Sequence, residues 1–196
     1  MKYNRLRLQK VYEVGQMDHD REAGKQWREE MTEWLKKRKA LPLNPYHKPI
    51  LYDEEGLEDD ESAVIREAAM KRGDYKEVAK IMRKVRVIDL RMVDMADFLV
   101  VNLDISKVTC GTYEEIFLAN RSKKPILIHC PQGIKAIPDW IFGTICTEHL
   151  FGNWNDLKEY LRHIDEDEDI DCLGRWKFFG LEPLIREVLG LPLKDE

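Results

Sequence analysis

The sequence predicts an α/β protein built on a doubly wound, mostly parallel sheet with helices on both faces. Three observations carry that expectation. Strand-like and helix-like segments follow one another in the order β-α-β-α-α-β-α-β, the pattern of crossover units. Two compact apolar runs, DFLVVNLD at 97–104 and KPILIHC at 124–130, read as central parallel strands covered on both faces. Glycine-containing turns follow two of the strands, at the strand ends where such a sheet opens its binding crevice.

Taken in order, LQKVYEVG at 8–15 alternates in part and ends on Gly15, as a first strand would. Residues 20–38 place Trp27, Met31, Trp34 and Leu35 at i, i+4, i+7 and i+8, the stripe of an amphipathic helix. ALPLNP at 40–45 is a short second strand stopped by its prolines. The polar, turn-rich stretch 46–62 reads as a loop insertion. Helical patterns follow at 61–71 and 74–95, the second with Val78, Ile81, Met82, Val85, Ile88 and Met92 on one face. After the strand at 97–104 come a helix at 112–121 and the strand at 124–130. This is the arrangement of a Rossmann-like or flavodoxin-like sheet. Beyond it, 154–164 is a short helix, DEDEDID at 165–171 an acidic linker and 181–190 a terminal helix. One main domain over 1–164 with a C-terminal extension over 165–196 is therefore expected. The acidic run lacks the spaced glycine and closing glutamate of a calcium loop and reads as solvated linker.

A chain of 196 residues supports one sizeable domain. Its net charge of -5 and pI near 5.7 argue against a large phosphate-backbone footprint, so small molecules are the expected partners rather than nucleic acid polymers. Neither a signal-like N-terminus nor a membrane-spanning apolar run is present, and the expected location is the cytoplasm. Cys110, Cys130, Cys146 and Cys172 lie far apart. Cys146 and His149 form one C-x-x-H pair without a second pair at zinc-like spacing, so the thiols read as reduced and no metal or organic cofactor is expected.

Three segments could converge on the strand ends: Gly15-Gln16-Met17-Asp18, Asp89 in the long helix, and Thr109 to Glu115 in TCGTYEE. Together VYEVGQMD, IDLRMVDMADFLVVNLD and GTYEEIFLA resemble the nucleoside 2-deoxyribosyltransferase superfamily, which includes the nucleoside 5′-monophosphate N-glycosidases. The shared pattern is an early Tyr-x-x-Gly strand end, an Asp shortly before an Ala-Asp that opens a strand, and a Gly-Thr-x-x-Glu turn after it. Asp89 lies eight residues before Asp97, and Glu115 follows Asp89 by 26. The resemblance covers roughly residues 8–130, with a weaker echo in IPDWIFG at 137–143.

The chemistry of that family suits these residue types. Breaking an N-glycosidic bond builds positive charge on the sugar and negative charge on the departing base, which calls for a carboxylate beneath C1′ and a proton donor beside the base. The resemblance implies Glu115 as the nucleophile of a covalent glycosyl-enzyme and Asp89 as the base-side acid. It also implies a pocket lined by Tyr12, Gly15, Gln16, Thr109, Gly111 and Thr112, and a homo-oligomer. A position six residues before the nucleophile, where the transferase branch carries an Asp, holds Thr109. That hydroxyl resembles the nucleotide-hydrolase branch and suits an anionic substrate, with Arg21 a candidate phosphate partner.

Competing readings stand beside this one. Thr112-x-x-Glu115 is also a capping box, in which Glu115 serves only the helix end. Tyr12 is either a strand core residue or the group that positions Glu115. Arg21 is either a phosphate ligand or a surface arginine. ILIHCPQGIKA at 126–136 superficially resembles a cysteine-phosphatase loop around Cys130, but Ala136 stands where arginine is needed. The same fold could also serve as a non-catalytic nucleotide sensor.

Overall fold

The computed structural model describes residues 4–17, 21–50, 60–166 and 174–192. Its elements are β1 (Lys10–Gly15), α1 (Arg21–Lys37), β2 (Leu41–Leu43), α2 (Asp60–Arg72), α3 (Tyr75–Met95), β3 (Phe98–Asn102), α4 (Cys110–Arg121), β4 (Ile126–His129), α5 (Asp139–Phe142), β5 (Leu150–Phe151), α6 (Trp154–Glu166) and α7 (Glu182–Val188). The five strands are all parallel, in the order β2-β1-β3-β4-β5. The chain therefore winds one way from β1 to β2 and the other way from β1 to β3. That reversal opens a crevice at the carboxyl ends of β1 and β3.

Side-chain alternation along the strands builds two cores. Tyr12 and Val14 of β1, Leu99 and Val101 of β3, and Ile126 and Ile128 of β4 pack with Met92 and Val93 of α3 and Ile116 and Ala119 of α4. The alternate positions Val11, Phe98, Val100 and Leu127 pack with Trp27, Met31 and Leu35 of α1 and Leu157 and Leu161 of α6. Continuous apolar strands are buried because both of their faces are covered, and the doubly wound α/β expectation is met.

The differences from expectation are local. β2 is three residues long because Pro45 opens a 3-10 turn over Pro45–His47, with the Asn44 side chain accepting from the Tyr46 amide at 2.9 Å. The two-residue β5 was not foreseen; LF carries too little pattern to announce a strand. α4 begins at Cys110, two residues before the expected start, which bears directly on the site. α6 continues through Asp165 and Glu166 into the stretch read as linker. Asp165 is buried there and accepts from the Leu6 amide at 2.9 Å. Further on, Trp176 packs against Phe98 with ring centroids 5.0 Å apart and donates to the Tyr160 hydroxyl at 3.1 Å. Most of the acidic run, Cys172 and the middle of the 46–62 loop lie outside the described residues.

The long helix α3 is pinned at both ends. Asp74 caps it by accepting from the Glu77 amide, and the Lys124 ammonium donates to the carbonyls of Val93, Asp94 and Ala96 at 2.6 Å each. A helix fixed this way holds the side chains on its inner face at set positions, Asp89 among them. Among the described residues, no helix is long and apolar enough to cross a membrane.

Candidate active site

The crevice holds a cavity of about 440 Å³ between the end of β1, the inner face of α3 and the first turns of α4. Tyr12, Gly15, Gln16, Asp89, Thr109, Gly111, Thr112 and Glu115 all line it, so eight of the nine residues singled out from sequence meet in one place. The ninth, Arg21, opens α1, and its side chain lies outside the described residues, as does Asp18.

Glu115 is 9% exposed, and its Oε1 accepts a hydrogen bond from the Tyr12 hydroxyl at 2.8 Å. Tyr12 projects from the middle of β1 towards α4, so the bond ties sheet to helix across the floor of the cavity. Burial, and then the nearby charges of Glu115 and Asp89, hold the Tyr12 phenol well above its usual range. It therefore remains a neutral donor at physiological pH. Of the two readings of Tyr12, the one in which it positions the carboxylate has the geometry behind it.

The capping-box reading of Thr112 and Glu115 does not hold. Because α4 starts at Cys110 with Thr109 at the cap position, Thr112 is already the third helical residue and cannot cap. Glu115 consequently sits in the second turn. The field of a helix terminus fades within the first turn, so the Tyr12 hydroxyl is the better-placed partner. Thr109 makes no side-chain capping bond. Its hydroxyl oxygen is buried without a partner among the described residues, in a side chain 7% exposed that faces the cavity.

On α3, Asp89 is held by a residue that sequence reasoning missed. Lys48 is buried just after the 3-10 turn, and its Nζ lies 2.7 Å from Asp89 Oδ1. Burial pushes the Asp89 carboxyl up, opposed by Lys48 and, more weakly, by Arg28. A lone lysine in a turn-rich loop has no periodicity to betray it.

Arg28 was missed as well, hidden one position after Trp27 in an amphipathic helix. It is fully buried, and its guanidinium donates to the carbonyls of Glu13, Gly15, Gln16 and Gly24 at 3.1, 2.6, 3.4 and 2.9 Å. The turn after β1 is thereby folded around one side chain. Gly15 is required by the same crowding. A Cβ there would stand 3.0 Å from the Asn102 carbonyl oxygen, 3.2 Å from the Trp27 ring and 3.3 Å from Arg28. The close approach at Gly15 is thus to other parts of the protein. At Gly111 a Cβ would meet nothing within 4 Å and would open onto the cavity.

Gln16 presents both amide atoms buried and without partners among the described residues, at the wall of the cavity. At the mouth, Arg86 of α3 forms an exposed ion pair with Glu114. Cys130 lies in the core, and burial pushes its thiol up, which disfavours the thiolate that a phosphatase needs. His129 also faces away from the cavity. It stacks on Trp154 at 4.1 Å, bonds Asn102 at 2.8 Å, and is pushed down to about 4 by burial. The C-x-x-H residues go separate ways, Cys146 to Glu148 and His149 to Tyr160. No cluster able to hold a metal ion occurs among the described residues.

No protein-family profile matches the chain. No curated protein matches its sequence. Solved structures do match. A 2-deoxyribosyltransferase from Bacillus psychrosaccharolyticus is similar with a TM-score of 0.52 and 16% identity, over 82% of this chain and 99% of that one. The CMP N-glycosidase BcmB of Clostridium botulinum gives 0.45 and 15%, over 78% and 98%. A conserved protein from Enterococcus faecalis V583 gives 0.41 and 16%, over 84% and 92%. The first of these likenesses establishes a shared architecture: the chain has the fold of a 2-deoxyribosyltransferase.

Proposed function

We propose that this protein is an enzyme of the nucleoside 2-deoxyribosyltransferase superfamily. It cleaves the N-glycosidic bond of a (2′-deoxy)nucleoside or nucleoside 5′-monophosphate, and the sugar passes through a covalent ester on Glu115 to another base or to water. The observation that carries this reading is the Tyr12–Glu115 hydrogen bond in a cavity that Asp89 also lines. A hydrogen bond from a neutral phenol fixes the rotamer of a carboxylate that lines the cavity where C1′ would lie. Asp89 lines the same cavity, and its burial favours the protonated form, which suits the role of proton donor to a departing base. Gln16, whose amide has no partner among the described residues, offers a donor and an acceptor to the substrate.

The sequence feature that favours a phosphorylated substrate finds support in the buried Thr109 hydroxyl. Together with the first amides of α4 it offers hydrogen bonds to an anion. The cytoplasm as the place of action and a homo-oligomeric assembly belong to the same proposal.

Chromatography of incubations with nucleosides and their 5′-monophosphates, with and without a second free base, tests it. Free base released from a substrate without acceptor, and lost in Glu115→Ala, establishes a hydrolase. Exchange only with added base makes it a transferase. No release from any substrate, with binding retained, leaves a nucleotide sensor.

A further inference from the structure

Burying a lysine ammonium costs several kcal/mol unless it is paired, and a chain does not do so idly. Lys48 has its Nζ wholly out of solvent and 2.7 Å from Asp89 Oδ1, behind the carboxyl that lines the cavity. We propose that Lys48 is the proton reservoir for Asp89, so that the base-side acid of this site is a buried lysine–aspartate pair holding one shared proton for the leaving base. The inference rests on the reading of Asp89 as the base-side acid and adds the residue that charges it.

The groups around the pair point to Lys48. Arg28 approaches from α1, Tyr12 from β1, Glu114 and Glu115 from α4, and Arg86 from one turn earlier on α3. The two arginines are cations that do not give up a proton in proteins. Tyr12 is committed to Glu115 and is held far from ionising. Glu115 is the carboxylate that attacks, and Glu114 is occupied by Arg86 at the mouth. Among these and the other described residues, Lys48 is the cation at ion-pair distance from Asp89 whose charge is carried by a transferable proton.

The step balances without an added reagent. As a Glu115 oxygen bonds to C1′, the C1′–N bond breaks and its electron pair stays on the base nitrogen. The one proton of the pair passes from Lys48 Nζ to Asp89 and from Asp89 to that nitrogen, leaving a neutral amine beside a carboxylate. When water attacks C1′ and the ester to Glu115 breaks, the proton released by water returns to the pair. In a transferase the incoming base returns it instead.

The test is the pH dependence of base release in wild type, Lys48→Met, Lys48→Arg and Asp89→Asn, using a nucleoside or monophosphate that the wild type cleaves. Lys48→Met should retain activity at low pH, where Asp89 carries its own proton, while its basic limb moves to lower pH by about one unit or more, roughly tenfold in rate at a fixed alkaline pH. Lys48→Arg keeps the charge but has no proton to lend, and should be impaired across the neutral range. Full activity in Lys48→Arg with an unshifted limb makes Lys48 an electrostatic or structural prop and overturns the proposal. An Asp89→Asn variant as active as wild type instead removes the reading of Asp89 on which it rests. Carbon-13 carboxyl NMR of aspartate-labelled protein gives a second readout independent of turnover. The Asp89 resonance, assigned through Asp89→Asn, should titrate at higher pH in Lys48→Met than in wild type; an unchanged titration shows that the two do not share a proton.

Discussion

One buried glutamate stands on β1 and another reaches that strand from α4, and they are buried to different effect. Glu13 points towards α1, is 0% exposed, and has the Thr32 hydroxyl 2.8 and 3.0 Å from its two oxygens. Glu115 reaches β1 from the opposite side, accepts from Tyr12 and faces the cavity. Burial pushes the Glu13 carboxyl up to about 8, against the pull of Thr32, Arg28 and Lys36, so at neutral pH it is chiefly a neutral packing group with a polar contact. Burial by itself therefore does not mark a catalytic carboxylate. Position sets the two apart: Glu115 lies at the switch point of the sheet, accepts from Tyr12 and lines the cavity, which is why the proposed mechanism uses it.

The comparison breaks most visibly at Glu115. Glu115→Gln should lower base release by at least about 10³-fold, the scale seen when an attacking group is removed from a covalent mechanism, with the melting temperature little changed. Equal losses from Glu13→Gln and Glu115→Gln would erase the distinction. Next in size is Tyr12→Phe, which removes one hydrogen bond to a charged group. The expected loss is about 10- to 100-fold in kcat with KM nearly unchanged, read from steady-state kinetics.

Gly15→Ala forces a Cβ against Asn102, Trp27 and Arg28, and should cost about 1–3 kcal/mol in chemical denaturation. Gly111→Ala, with open space at its Cβ, should leave stability alone and raise KM. The smallest effect on activity belongs to Glu13→Gln, which should turn over normally at neutral pH and reveal itself only in stability. The folded carboxyl of Glu13 titrates above its unfolded value. Its contribution is therefore complete below about pH 4.5, the ordinary glutamate value, and is lost as pH rises through about 8. Across that window the wild type should lose stability relative to Glu13→Gln by up to about 1.4 kcal/mol per pH unit. A difference that stays flat with pH would mean that Glu13 is ionised in the folded protein.

Much of this architecture was legible in the residues because buried parallel strands are continuous apolar runs and their covering helices carry a 3.6-residue stripe. The α3 face was visible from Val78 to Met92, and the crevice followed from glycines at strand ends. Eight cavity residues were named through a resemblance in spacing, which reports the order of motifs along the chain but not what stands behind them. Lys48 and Arg28 stayed hidden for that reason. Each is a single cation in a polar stretch, and its burial depends on chain segments far away in sequence. The start of α4 was misplaced because Cys110 and Gly111 are weak helix formers, and Thr112 looked like a cap until Thr109 took that position.

The central claim is a covalent bond between the sugar and Glu115. Acid-quenching the enzyme during turnover of a cleavable nucleoside or monophosphate, followed by peptide mass spectrometry, tests it most directly. A glycosyl mass added to the peptide that contains Glu115, absent in Glu115→Gln and discharged by water or a second base, is the predicted result. Rapid base release with the sugar found on a different residue, or with no adduct when a slow-turnover fluorinated analogue is used, would contradict it.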